Sequence, residues 1–136
     1  AYRRGIPAYI IMPTNAPKAK IQGVKRYKAQ IHFCEPTLQT RESTLNEVVA
    51  KTGAEFIPPF NDERIIAGQA TCAKELIEEV KNLDIVIAPV GGGGLLSGTS
   101  LSTHYLLPNA ITIGAEPALA DDAFRSFQSG LIAPVL

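Results

Sequence analysis

Apolar positions along this chain follow two alternating rhythms. Short aliphatic or alternating runs read as strands: Tyr9-Ile10-Ile11-Met12, Gln30-Ile31-His32-Phe33-Cys34, Glu55-Phe56-Ile57, Asp84-Ile85-Val86-Ile87-Ala88-Pro89-Val90 and Ile111-Thr112-Ile113-Gly114-Ala115. Between them the apolar positions recur every three or four residues, the spacing of a helix with one buried face. Ile21, Val24 and Tyr27 follow Pro17, and Leu45, Val48 and Val49 fall in a helix from Thr40 or Arg41 to Lys51, with Gly53 as its stop. Ala70, Ala73, Leu76, Ile77 and Val80 mark a helix from Glu63 or Ile65 to near Asn82. Helical spacing resumes from Leu95 to Leu107 and again from Asp121 to Ser129. The alternation predicts an α/β fold of parallel strands with right-handed crossovers. A β-α-β-α-β unit occupies about the first sixty residues, and Asn61-Asp62 is the break after it. Gly68, inside a helical pattern, costs about 1 kcal/mol there and predicts close packing or an irregular helix start.

The run from Asp84 to Val90 reads as a strand buried on both faces. It is followed by Gly91-Gly92-Gly93-Gly94 and then by the helix that begins near Leu95. Residues without a Cβ let a ligand approach the backbone, and the amides at a helix start carry partial positive charge. Strand, glycine loop and helix together suit a phosphate. A Walker loop is excluded, because no Gly-Lys-Ser/Thr closes the run. The dinucleotide fingerprint G-x-G-x-x-G survives only in degenerate form, since its last position falls on Leu96 or Ser97. A degenerate dinucleotide-binding domain, with Glu116 as the ribose-binding acid, stands as an alternative, as does a non-catalytic phosphate-binding module.

Composition narrows the classes. Thirteen basic residues against thirteen acidic ones leave no net field to attract nucleic acid or a membrane surface. The basic run Lys18, Lys20, Lys25, Arg26, Lys28 reads as a solvated helix face. No apolar run approaches the roughly 20 residues of a membrane span, which leads to the expectation of a cytoplasmic protein. Cys34 and Cys72 are expected to be buried free thiols. His32 and His104 have no partners in sequence that would make a triad or metal motif, and read as structural. Glu116, Asp121 and Asp122 lie within seven residues of a strand-to-helix turn. Hard oxygen ligands of this sort suit Mg2+, Mn2+ or Ca2+, but an aspartate there serves equally as a helix cap. The opening Ala1-Tyr2-Arg3-Arg4-Gly5 reads as a last helical turn, and the apolar end from Gly130 to Leu136 has no terminal element. The chain is therefore expected to be a piece of a longer protein, whose exposed apolar surfaces predict a homo-oligomer.

Four motifs, in order, carry a resemblance: Gly5-Ile6-Pro7-Ala8-Tyr9-Ile10-Ile11-Met12-Pro13, Ile66-Ala67-Gly68-Gln69-Ala70-Thr71, Pro89 to Gly98 with its four glycines, and Glu116-Pro117. Together they resemble the serine racemase and threonine/serine dehydratase family of fold type II pyridoxal 5'-phosphate enzymes. The resemblance implies a tryptophan synthase β-like architecture of parallel three-layer β/α units. It also implies a small β/α domain at 1–61 and part of a large cofactor-binding domain at 62–136. It assigns Gly91, Gly92, Gly93, Gly94 and the Leu95 amide to the cofactor phosphate. Glu116, the Ala120 carbonyl and Asp122 go to a divalent cation, Mg2+ or else Mn2+ or Ca2+, and Arg41 to the carboxylate of an amino-acid substrate, serine or threonine. The implied chemistry is loss of the α-proton. Either water is then eliminated to give a 2-oxo acid and ammonia, or the proton returns with inversion. The family's cofactor-bearing lysine, in a Ser-Phe-Lys motif, and its Ser-Ser-Gly-Asn-His loop have no match here and would lie upstream of Ala1. These 136 residues alone are expected to be inactive. Pro58-Pro59-Phe60 stands where relatives commonly carry His-Pro-Phe.

Overall fold

The structure, a computed structural model, describes residues 1–134. Its contacts divide the chain into two compact units, Ala1–Phe56 and the part from Ile57 onward.

The first unit opens with a 3-10 turn over Tyr2–Arg4, closed by Gly5 in the left-handed region at φ 65°. Strand β1 (Tyr9–Pro13), helix α1 (Lys18–Arg26), strand β2 (Gln30–Cys34) and helix α2 (Leu38–Thr52) follow. β1 and β2 pair in parallel, from Tyr9 opposite Gln30 to Pro13 opposite Cys34, so α1 is the crossover between them. Met12, Cys34 and Val48 are the buried apolar residues here. Helix α2 starts earlier than its apolar spacing predicts. Thr37 is the cap, its hydroxyl accepting the Thr40 amide at 3.2 Å, and the exposed Leu38 carries no burial signal. The strand expected at Glu55-Phe56-Ile57 does not form. Three residues stopped by Pro58-Pro59, with no ladder to join among the described residues, stay irregular, and the unit is β-α-β-α.

The second unit consists of α3 (Glu63–Glu79), β3 (Ile85–Pro89), α4 (Gly94–Leu106), β4 (Ile111–Ala115) and α5 (Asp122–Ser129). β3 and β4 are parallel neighbours, Ile85 opposite Ile111 and Pro89 opposite Ala115. β3 buries one face only: Val86 and Ala88 are 5% exposed, whereas Ile85 and Ile87 are 49% and 65% exposed. The expectation of a strand covered on both sides is corrected. Within these residues α4 covers one side, and the alternate side chains of a strand point to the other.

Gly68 also departs from expectation. α3 runs unbroken through it, and nothing lies within 4 Å of where its Cβ would stand. The close approach is made by Gly98 on α4, where a Cβ would come 2.5 Å from the Ala70 nitrogen and 2.7 Å from the Ile66 carbonyl oxygen. One turn on, the Ser102 hydroxyl donates to the Ala70 carbonyl at 2.7 Å, and Thr99, Ser102 and Thr103 are buried beside Ala73. Small residues on α4 thus set it hard against α3. Cys34 is buried as expected, but Cys72 is exposed, because Ala73 and not its neighbour occupies the inward position of α3. Among the described residues no helix is long and apolar enough to cross a membrane.

Candidate functional site

The parallel register of β3 and β4 brings two strand-to-helix junctions to one edge of the sheet. Val90, just past β3, donates its amide to the Ala115 carbonyl at 2.9 Å, so the glycine loop begins beside the end of β4, where Glu116 follows. This C-terminal edge of parallel strands is where open α/β sheets hold ligands.

The first junction is Gly91-Gly92-Gly93, leading into α4. Gly93 is the N-cap at φ 86°, a left-handed conformation that L side chains rarely adopt, and no side chain caps the helix. The first helical bond runs from the Ser97 amide to the Gly93 carbonyl at 2.8 Å. Among the described residues the amides of Gly94, Leu95 and Leu96 have no hydrogen-bond acceptor. Three donors at the positive end of a thirteen-residue helix are thus left for an external acceptor. Positions where a Cβ would meet nothing within 4 Å, Gly91 and Gly93, alternate with positions backed by Phe60, namely Gly92 and Gly94. Gly91 and Gly92 are exposed and Gly94 is buried. An open run of glycines ending in amides of partial positive charge fits a phosphate group.

The second junction runs from Glu116 to Asp121, ahead of α5. Both oxygens of Glu116 turn onto the helix, accepting the Ala123 amide at 3.3 Å and the Phe124 amide at 2.6 Å. Asp121 occupies the N-cap position without capping; its Oδ1 instead accepts from Arg125 Nε at 2.8 Å. The cap expected of an aspartate is supplied by Glu116, remote in sequence, for which no local signal exists. Asp122 is the first residue of α5, and Ala120 donates its amide to the Pro117 carbonyl at 2.8 Å. Among the described residues no three His, Cys, Asp or Glu side chains are grouped to hold a metal ion. The set expected from the sequence has two carboxylates and one carbonyl.

The remaining candidates lie elsewhere. Arg41 is in the first turn of α2, exposed, in the first unit. His32 lies on β2 with its ring tilted against Tyr9 at 6.0 Å between centroids, and His104 is exposed on α4 with its ring edge-on to Tyr105. Among the described residues neither histidine is hydrogen-bonded to a nucleophile or a carboxylate. Phe60 is the residue of this site that sequence reasoning passed over. The available signal was the run of four glycines, longer than a turn requires, which implies that something besides a ligand packs against it.

Parallel βα units with an uncapped glycine junction at the strand ends offer a place suited to a phosphate group. The chain belongs to the pyridoxal-phosphate dependent enzyme family, whose model matches residues 1–135. It is 53% identical over 132 residues to a beta-hydroxyaspartate dehydratase of Paracoccus denitrificans, covering 97% of this chain and 42% of that protein. It is 43% identical to a serine racemase of Arabidopsis thaliana, covering 95% of this chain and 39% of that protein. Among solved structures, maize serine racemase superposes with a TM-score of 0.94 at 40% identity, over all of this chain and 41% of the other. The chain therefore spans about two fifths of the length of these relatives. The match confirms the fold type II α/β class expected from the sequence. The dinucleotide alternative gives way to it.

Proposed function

We propose that the glycine junction of β3 and α4 holds the phosphate of pyridoxal 5'-phosphate in an enzyme that dehydrates or racemises a β-hydroxy α-amino acid such as serine or threonine. The observation that carries this is the start of α4, where the Gly94, Leu95 and Leu96 amides lack an acceptor beside a loop whose Gly91 and Gly93 leave room for one. When bound, the cofactor supplies an electron sink that acidifies the α-carbon of an amino acid. The chain's own part is to anchor the phosphate through the junction formed by Gly91, Gly92, Gly93, Gly94 and Leu95, fixing the ring relative to the sheet edge. In this reading residues 1–61 belong to a small domain and 62–136 to the cofactor-binding domain. Arg41 pairs with the substrate carboxylate as a bidentate donor. Relatives named for serine and hydroxyaspartate support a substrate carrying a β-hydroxyl.

Glu116, the Ala120 carbonyl and Asp122 form the proposed divalent-cation site. Glu116 has oxygen lone pairs beyond the two it gives to α5, so a cation there would tie the acid turn to the helix it caps. The exposed outer face of β3 and β4, with Ile87 at 65% and Ile111 at 61%, supports burial against further chain or a second copy.

The test is titration of the full-length protein with pyridoxal 5'-phosphate, followed by visible absorbance with inorganic phosphate as competitor. Competition by phosphate, with conversion of serine, threonine or hydroxyaspartate to a 2-oxo acid and ammonia or to the opposite enantiomer, is the expected result. Cofactor binding indifferent to phosphate would overturn the assignment.

A further inference from the structure

The glycine junction has two sides of different character, and one side chain accounts for the difference. A Cβ on Gly92 would overlap the Phe60 ring, and one on Gly94 would stand 3.2 Å from the Phe60 Cα and 3.3 Å from its Cβ. Gly91 and Gly93 would meet nothing within 4 Å. Phe60 itself is held from behind. Its carbonyl accepts the Asp62 amide at 2.7 Å, and Asp62 caps α3, its Oδ1 accepting the Arg64 amide at 2.9 Å. α3 in turn is locked to α4 through Gly98 and Ser102. Phe60 thus sits between the start of one helix and the start of the next, with 43% of its surface exposed. A loop of four glycines has more backbone freedom to lose on binding than any other tetrapeptide. A phosphate site built on it loses affinity to that entropy unless something restrains the loop beforehand.

We infer that Phe60 is a positioning residue for the phosphate loop: its ring seats Gly92 while its Cα and Cβ back Gly94, leaving Gly91, Gly93 and the first α4 amides presented to the anion. This inference rests on the cofactor-phosphate reading and adds to it the group that preorganises the loop. It also explains Gly92, which is glycine because the ring occupies the space of its side chain.

The test compares cofactor and phosphate-free pyridoxal on full-length protein. Phe60→Ala is expected to weaken pyridoxal 5'-phosphate about tenfold, to weaken inorganic phosphate as a competitor by the same factor, and to leave pyridoxal unchanged. Phe60→Leu keeps apolar bulk without the flat ring and is expected to lose about threefold, which keeps the comparison available should the alanine variant not fold. Variants that bind the cofactor like wild type overturn the inference. So does an equal loss for cofactor and pyridoxal that tracks a lowered melting temperature, which would make Phe60 a residue of the fold alone. If phosphate fails to compete in the wild type, the functional reading itself falls before any substitution is made.

Discussion

The two junctions at the end of the β3/β4 pair begin alike and finish differently. Each takes the chain from a parallel strand into a helix, and each helix presents unpaired amides at its start. At α5 the chain answers them itself: Glu116 accepts the Ala123 and Phe124 amides, and a carboxylate stands where the helix dipole favours one. At α4 it supplies neither a side chain nor a carboxylate, and removes every Cβ from the approach. Of two equivalent positions one is closed internally and one keeps its amides without an acceptor among the described residues, and this difference is what supports the proposed phosphate site.

The comparison depends first on α4 being held still. Gly98→Leu would drive a side chain into the Ile66 to Ala70 backbone of α3, and overpacking against backbone is expected to cost about 3 kcal/mol or more. Thermal denaturation of the full-length variant would show it; an unchanged melting temperature would mean that the two helices are not locked as described. A smaller and more selective effect is expected at the loop. Gly92→Ala collides with the Phe60 ring, and should weaken pyridoxal 5'-phosphate about a hundredfold, or roughly 2.7 kcal/mol, while barely moving the binding of pyridoxal. Combining it with Phe60→Ala removes the collision and should recover part of that loss in an absorbance titration. Without recovery, the ring is not what excludes a side chain at Gly92.

How much of this was legible in the sequence depended on the range of the interaction. The glycine loop, the parallel strands and the Gly53 stop are written in consecutive residues and appear where expected. The features that sequence does not show are made by residues apart in sequence, whose meeting no local pattern announces. Glu116 caps a helix that starts six positions later, and Gly98, not Gly68, makes the contact between α3 and α4. Ile87 reads as buried but faces outward. Glu55-Phe56-Ile57 has the composition of a strand, but pairing needs a neighbour that composition does not supply. Phe60 matches the last position of a familiar His-Pro-Phe motif that this chain breaks only at Pro58, and nothing local says which backbone its ring touches.

The capped side of the comparison yields gentler effects. Glu116→Ala strips α5 of both acceptors and is expected to destabilise that helix by about 1 kcal/mol, seen as faster hydrogen exchange at Ala123 and Phe124. Glu116→Gln, which retains one acceptor oxygen, should recover most of the protection. If a divalent cation also binds at Glu116, added Mg2+ will slow exchange in the wild type and not in the glutamine variant.

The smallest effect is expected at the third helix start, where α3 is capped locally. Asp62 accepts the Arg64 amide and pairs with its guanidinium at 3.2 Å; chiefly that side-chain hydrogen bond lowers the Asp62 carboxyl below its ordinary value. A carboxyl that is more acidic in the folded state contributes stability above the unfolded pKa of about 3.9, and loses it as the pH falls through the folded value. Asp62 should therefore support α3 at neutral pH and cease to do so only in acid. Because the group is exposed, salt should weaken the charged part of the effect and leave the neutral hydrogen bond. Asp62→Asn keeps an acceptor at the cap and removes the titration, so the melting temperatures of the two proteins should differ modestly at pH 7 and converge below pH 4. A difference that persists in acid would show that Asp62 acts through shape alone. An equal loss of phosphate competition in Asp62→Asn would instead join the cap of α3 to the loop at α4 through Phe60, whose carbonyl Asp62 holds.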